Sequence, residues 1–337
     1  MEIYNLNMIS KGYVNNIIIN FSKGDFINYT DGDNELNRTR TATLSADKIQ
    51  IGKFKRGWFS PSKITNAIIN ITAINGLNDP NKIRLFYKFL EDKICKHLVL
   101  IFEEDMTVNS IRESLEILAD FNFHSVIVIC NYMDAYYSDG FGEIIMSLPI
   151  HKKLIVLNSP FEKNFESTMH FTTKKESFGF RKSRGEFKVS FELFDESQNH
   201  HTYFNRKLCI DVNGEIKNAP ECQENFGLIQ ELNSLQELER IISTTEFQKY
   251  WFAHKDICSI CQSCEFRHVC VDNRLPIQRK NGTWYHNIEC NYNPYIAKWK
   301  NEDGYVSLSD AGVCVTNEKV TIDHDRVATI NKQIWGD

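Results

Sequence analysis

No apolar run in the 337-residue sequence approaches the roughly 20 residues that a membrane span requires. The opening, MEIYNLNMISKG, has neither the basic start nor the apolar stretch of a secretory signal. Positive charge is in short supply: the formal net charge is −5, which gives no reason to expect nucleic acid as a partner. A P-loop, a dinucleotide-binding fingerprint and a His-Glu-x-x-His pair are all missing. Before Cys209 the only cysteines are Cys95 and Cys130. A Cys-x3-Cys-x2-Cys loop, which leaves one iron of a cluster free for S-adenosylmethionine, is therefore excluded from the first 200 residues. No S-adenosylmethionine is expected. These absences predict a chain with no membrane or nucleic-acid partner in a reducing, cytoplasmic setting. In such a setting, clustered cysteines signal metal rather than disulfides.

Cysteine is what the sequence concentrates. Of ten cysteines, five fall in one short segment: Cys258, Cys261, Cys264, Cys270 and Cys290. The two-residue gaps let neighbouring sulfurs turn toward one centre, which is how thiolates hold zinc or an iron–sulfur cluster. Cys258-x2-Cys261-x2-Cys264 also fits a ferredoxin-type run, so Cys258 is an alternative ligand to one of the others. Cys209 sits where a strand wants an apolar residue. Cys95, Cys130 and Cys314 are isolated and read as small buried hydrophobes.

The remaining chain divides by its periodicities. Residues 1–60 read as a small β-rich unit, with strands over 13–21 and 26–29 about a Lys23-Gly24-Asp25 turn. Within it, the basic and aromatic stretch Lys53–Phe59 is a candidate for peptide recognition. Residues 61–185 alternate strands with helices. Strands are predicted at 64–71, 97–102, 126–130 and 154–157, with helices opening at Asp79-Pro80, over 111–118 and around 141–146. That rhythm implies a parallel sheet, either a partial (βα) barrel or an open layer. Glu103-Glu104-Asp105 follows the second of these strands, where sites on such folds collect. Residues 186–300 open on an alternating strand at 186–194 and the polar group Glu196, His200, His201 and Asn205. A hairpin over 208–217 turns at Asn213-Gly214, and a helix over 232–251 leads into the cysteines. Residues 301–337 form a C-terminal extension.

Several of these pieces carry a family resemblance. FELFDESQNHHTYFNRK, IDVNGEIKN, the helix ending FQKYW, CQSCEFRHVC and CNYNPYIAKW together resemble the SPASM-domain maturases of "grasp-with-spasm" peptide-maturation systems. ITNAIINI is similar to that family's first core strand. The resemblance is strongest in the C-terminal half, and the helices expected after the opening strands look truncated. A full SPASM domain holds two [4Fe–4S] clusters through a Gly-x4-Cys element and a Cys-x2-Cys-x5-Cys-x3-Cys element. Here the first element ends on Ala219 instead of cysteine, with Cys222 out of spacing. After Cys270 the next cysteine is also missing, with Asn273 standing nearby. Both absences fall on one cluster. What the resemblance implies is a single [4Fe–4S] cluster on Cys261, Cys264, Cys270 and Cys290.

The fold class expected is thus α/β: a partial barrel-like parallel sheet, a small N-terminal β unit and a SPASM-like iron–sulfur domain. The function implied is binding of a ribosomally made precursor peptide beside an ATP-grasp ligase, without radical chemistry. The alternatives are a peptide-modifying metalloenzyme in its own right and a structural zinc-binding module.

Overall fold

The computed structural model describes residues 7–29, 43–45, 63–75, 80–102, 108–133, 151–165, 168–174 and 187–336. Two compact units emerge, each assembled from separate stretches of chain. One takes Met1–Trp58, Phe180–Asn205 and Tyr250–Asp337; the other takes Phe59–Gly179 and Arg206–Lys249. The chain changes unit after Trp58 and after Gly179. The span 186–300, expected as one domain, is instead split between the two.

The first unit begins with β1 (Asn7–Lys11), β2 (Asn16–Asn20) and β3 (Asp25–Tyr29) in an antiparallel sheet. β4 (Thr43–Ser45) lies parallel to β1 on its other side. β1 is a strand that periodicity did not single out. Lys53–Phe59 lies outside the described residues.

The second unit carries the sheet. β5 (Asn66–Asn70) leads into α1 (Ile71–Asn75) and α2 (Pro80–Asp92), then β6 (His97–Phe102), α3 (Val108–Leu118), β7 (Ser125–Asn131) and β8 (His151–Leu157). β9 (Lys163–Phe165) and β10 (Met169–Phe171) close this stretch. Pro80 starts α2, where its missing N–H costs nothing. Ile83, Phe86, Tyr87, Phe89 and Leu90 then form the buried side of that helix, as Ile111, Leu115 and Leu118 do on α3. The helix expected around 141–146 and the acidic run Glu103–Asp105 lie outside the described residues.

Within the expected strand 186–194, residues 187–190 form no strand and a helix begins at Phe191. The Ser190 Oγ accepts from the Leu193 N–H at 3.1 Å and caps α4 (Phe191–Ser197), with Glu192 in the first turn. A side-chain cap satisfies a helix terminus that alternation alone cannot register. The chain then re-enters the second unit as β11 (Lys207–Ile210) and β12 (Ile216–Lys217), the predicted hairpin, with Gly214 at φ +80° in its turn. β11 pairs parallel with β5, giving the order β12-β11-β5-β6-β7-β8-β10-β9. The strands from β11 to β10 are parallel, with one antiparallel strand at each edge. Among the described residues the sheet is open and mixed; it does not close as a barrel. α5 (Leu235–Ile242) is shorter than the expected 232–251, because the Ser243 and Thr244 hydroxyls turn back to the carbonyls of Glu239 and Ile241.

Back in the first unit, short 3-10 turns carry the cysteines between Lys249 and His268. Two small hairpins follow, β13 (Pro276–Gln278) with β14 (Trp284–His286) and β15 (Tyr292–Asn293) with β16 (Lys298–Trp299). Met8, Ile17 and Ile19 of the N-terminal sheet share one core with Phe194, Phe266, Val269, Tyr292 and Trp299, and Cys264 and Cys290 pack at its margin. Phe187 stacks on Phe266 at 4.7 Å. Each fully buried side chain of this size stabilises by about 1.5–3 kcal/mol, so the cysteine segment leans on a core that it does not have to build itself.

The extension ends in the hairpin β17 (Val313–Val315) and β18 (Val320–Ile322), then α6 (His324–Trp335). Val327, Val313, Leu308 and Tyr295 form a second cluster. Asn331 and Trp335 donate to the carbonyls of Tyr295 and Ile296. Gly312 has φ +85°, and a Cβ there would stand 3.0 Å from that of Asp323. Cys314, expected to be buried, is exposed, since its side chain takes the outer position of β17.

Candidate metal centre

The site grows from the backbone between Trp251 and Asp272. Cys258 bridges in parallel to Trp284, and the Ser259 N–H donates to the Trp284 carbonyl at 2.7 Å. Ile260 stands at φ +69°, ψ −51°, a conformation that a β-branched residue adopts only where surrounding packing holds it. Ile260 packs against the Tyr295, Leu308, Val313 and Val327 cluster. The chain reverses there into the 3-10 turn Cys261–Ser263, where the Cys264 N–H donates to the Cys261 carbonyl at 3.0 Å. The next turn, Glu265–His268, delivers Cys270, whose carbonyl accepts from Thr202 Oγ1 at 2.8 Å.

Cys261, Cys264, Cys270 and Cys290 all line one cavity, together with Lys255, Asp272, Arg274 and His286. Its volume is about 60 Å³, several times the roughly 10–15 Å³ that one water needs. The four thiols named from the sequence are thus brought together. Cys258 is fully buried and does not line the cavity.

Charge explains how thiols can gather here. Asp272, 1% exposed, accepts from Lys255 Nζ at 3.1 Å and from Arg274 Nη2 at 2.7 Å. Burial alone would lower the pKa of both cations. Asp272 and the adjacent sulfurs outweigh it, so both stay charged: Cys270 and Cys261 act on Lys255, Cys290 and Cys261 on Arg274. The Cys258 thiol, hydrogen-bonded to Cys261, holds the Cys261 pKa well down, and its own is pushed well up by the same bond and by burial. Burial pushes Cys264 well up, and Glu265, Cys270, Cys261 and Cys290 push it further. Four thiols around one buried cavity cannot all ionise unless cationic charge joins them. A positive metal centre would supply that charge, and the donor set is one that soft metals select.

Spacing sharpens the chemistry. The sulfurs of Cys258 and Cys261 and a ring nitrogen of His286 lie within 4.8 Å of one another, and among the described residues no other three metal-ligating groups come so close. No three of the four cavity thiols lie that close to one another. A tetrahedral ion with metal–sulfur bonds of about 2.3 Å would place its sulfurs roughly 3.8 Å apart. A polynuclear group, with each thiolate on its own iron, has no such requirement.

Beside the thiols, Glu265 is buried and its pKa is pushed up to about 7 by burial. The Tyr292 hydroxyl donates to its Oε1. Arg267 ties the segment down through Asp256 at 2.7 Å and the Lys11 carbonyl.

Lys255, Asp272, Arg274 and His286 are the residues that sequence reasoning missed. One signal was present: Arg274 lies four residues after Cys270, where the resemblance puts a further cysteine, so the substituted position is Arg274 and not Asn273. Its guanidinium faces the cavity instead of a thiol. The polar group Glu196, His200, His201 and Asn205 does not line the cavity. Asn205 Nδ2 donates to Glu196 Oε1 at 2.6 Å, and His201 Nδ1 accepts from the Tyr203 N–H, which makes these a packed turn. Ala219 and Cys222 are buried in the second unit, with the Cys222 N–H donating to the Ala219 carbonyl.

No family model, curated protein or solved structure matches this chain.

Proposed function

We propose that the protein is an iron–sulfur component of a ribosomal peptide-maturation system. In this reading it binds a precursor peptide and acts with an ATP-grasp ligase, without radical chemistry on S-adenosylmethionine. One [4Fe–4S] cluster is held by Cys261, Cys264, Cys270 and Cys290. The observation that carries the cluster is that these four thiols border one cavity, with no three of them within 4.8 Å of one another, against the two buried cations Lys255 and Arg274. The peptide and ligase follow from the sequence resemblance.

When bound, such a cluster supplies a closed four-thiolate sphere suited to anchoring or electron transfer, because no iron keeps an open position. The chain's own residues do the rest. Asp272 fixes Lys255 and Arg274 so that their charge offsets the thiolates, and the core around Phe266 and Trp299 holds Cys264 and Cys290 in place. Anaerobically purified protein should be brown, with about four irons and four sulfides per chain. Colourless protein with zinc on the same four thiols would replace the cluster by a structural zinc module. Co-purification with an ATP-grasp ligase and its precursor peptide tests the remainder, and failure to retain either would refute it.

A further inference from the structure

Cys258 has no place in the four-thiol set, yet it is fully buried and faces two ligating groups. We propose that Cys258, Cys261 and His286 bind a single thiophilic divalent cation of the zinc class, separate from the cluster but sharing the Cys261 sulfur. The inference rests on the cluster reading only through that shared sulfur.

Three observations carry it. The three ligating atoms lie within 4.8 Å of one another, and closing on one ion requires them to approach to roughly 3.5–3.8 Å. The His286 side chain is 5% exposed and borders the cavity; its ring faces the Cys261 sulfur, whose pKa it helps to lower, yet neither ring nitrogen makes a hydrogen bond of good geometry. An imidazole buried without a well-formed hydrogen bond costs free energy that a metal bond removes. Third, the backbone is built to hold the trio. The strained turn at Ile260 places Cys258 and Cys261 side by side, and the bridge from Cys258 to Trp284 sets β14, with His286, beside them. Arg279 locks that pairing, donating to Ser259 Oγ at 2.7 Å and to the Trp284 carbonyl.

The surroundings complete a familiar zinc pattern. His286 Nε2 lies 4.0 Å from Asp272 Oδ2, and a small movement of the ring would let this carboxylate fix its tautomer, as carboxylates do behind ligating imidazoles. A Cys2His set leaves one of zinc's four positions for a ligand from outside the chain. A thiolate sulfur has lone pairs for two metals, so Cys261 can serve both groups.

The test measures zinc and iron independently on the full-length chain, purified anaerobically and supplemented with zinc, with cobalt(II) as a spectroscopic probe. The expected result is about one zinc per chain in addition to iron, and a tetrahedral cobalt spectrum whose sulfur-to-metal bands correspond to two thiolates. Cys258→Ala should lose the zinc and keep the iron; His286→Gln should lose the zinc while far-ultraviolet circular dichroism stays unchanged. Wild-type protein that binds neither zinc nor cobalt overturns the proposal, and so does full zinc in both variants. Zinc that persists in Cys258→Ala but leaves in Cys264→Ala overturns both this proposal and the cluster. Zinc that needs Cys258 and His286 in a chain without iron upholds this site and removes the cluster alone. The wild-type cobalt spectrum decides the thiolate number even if a variant misfolds.

Discussion

Replacing Asp272 by Asn removes one charge from the centre of the site and keeps its shape. The carboxylate is 1% exposed and is shared by Lys255 and Arg274, whose side chains are 4% and 16% exposed. Breaking a buried pair by removing one partner costs about 3–5 kcal/mol, because the remaining charge is uncompensated. The amide oxygen still accepts one bond, so the lower end, about 3 kcal/mol, applies to the metal-free protein. At about 2–4 °C per kcal/mol for a domain of 150–250 residues, the midpoint falls by about 6–12 °C. The metal-loaded protein should lose less, since thiolates around the metal keep negative charge beside both cations. Trp251, Trp284, Trp299 and Trp335 all belong to the unit that holds Asp272, so anaerobic thermal unfolding followed by tryptophan fluorescence reports on it. A fall of less than about 2 °C without metal, or a larger fall with metal than without, would refute this electrostatic account.

Three further outcomes are expected. Cys264→Ala should strip the iron and destabilise the unit, because metal-binding free energy is folding free energy in such segments; Cys314→Ala, at an exposed position, should keep full iron by elemental analysis. Glu265, whose pKa burial raises to about 7, contributes stability that is complete below the ordinary carboxylate range and is lost as pH rises through 7. Glu265→Gln should therefore gain up to about 3 kcal/mol relative to wild type between about pH 5 and pH 8 in urea titrations, and parallel curves for the two proteins would contradict this. With S-adenosylmethionine and a strong reductant, the protein should release no 5′-deoxyadenosine above background by chromatography, and catalytic release would overturn the reading of the missing Cys-x3-Cys-x2-Cys loop.

The sequence by itself determined whatever depends on near neighbours along the chain. Buried apolar runs specified β5 to β8, Asn213-Gly214 specified the β11–β12 turn, and Pro80 specified the start of α2. Cys-x2-Cys-x5-Cys with a later Cys290 named four thiols that now border one cavity. Alternation misled from Phe191 on, where the Ser190 cap and the buried Phe191, Leu193 and Phe194 make a helix. Tertiary structure alone decided the relations between distant residues. It joined the N-terminal strands to the cysteine segment through Met8, Ile17 and Phe266, and placed the β11–β12 hairpin beside β5 in a sheet whose other strands come before residue 175. It also set His286 next to Cys258 through the Trp284 bridge and Asp272 between Lys255 and Arg274. No local periodicity encodes these pairings. They form because a buried charge must find its opposite and a buried strand edge must find its ladder, wherever in the chain the partner lies.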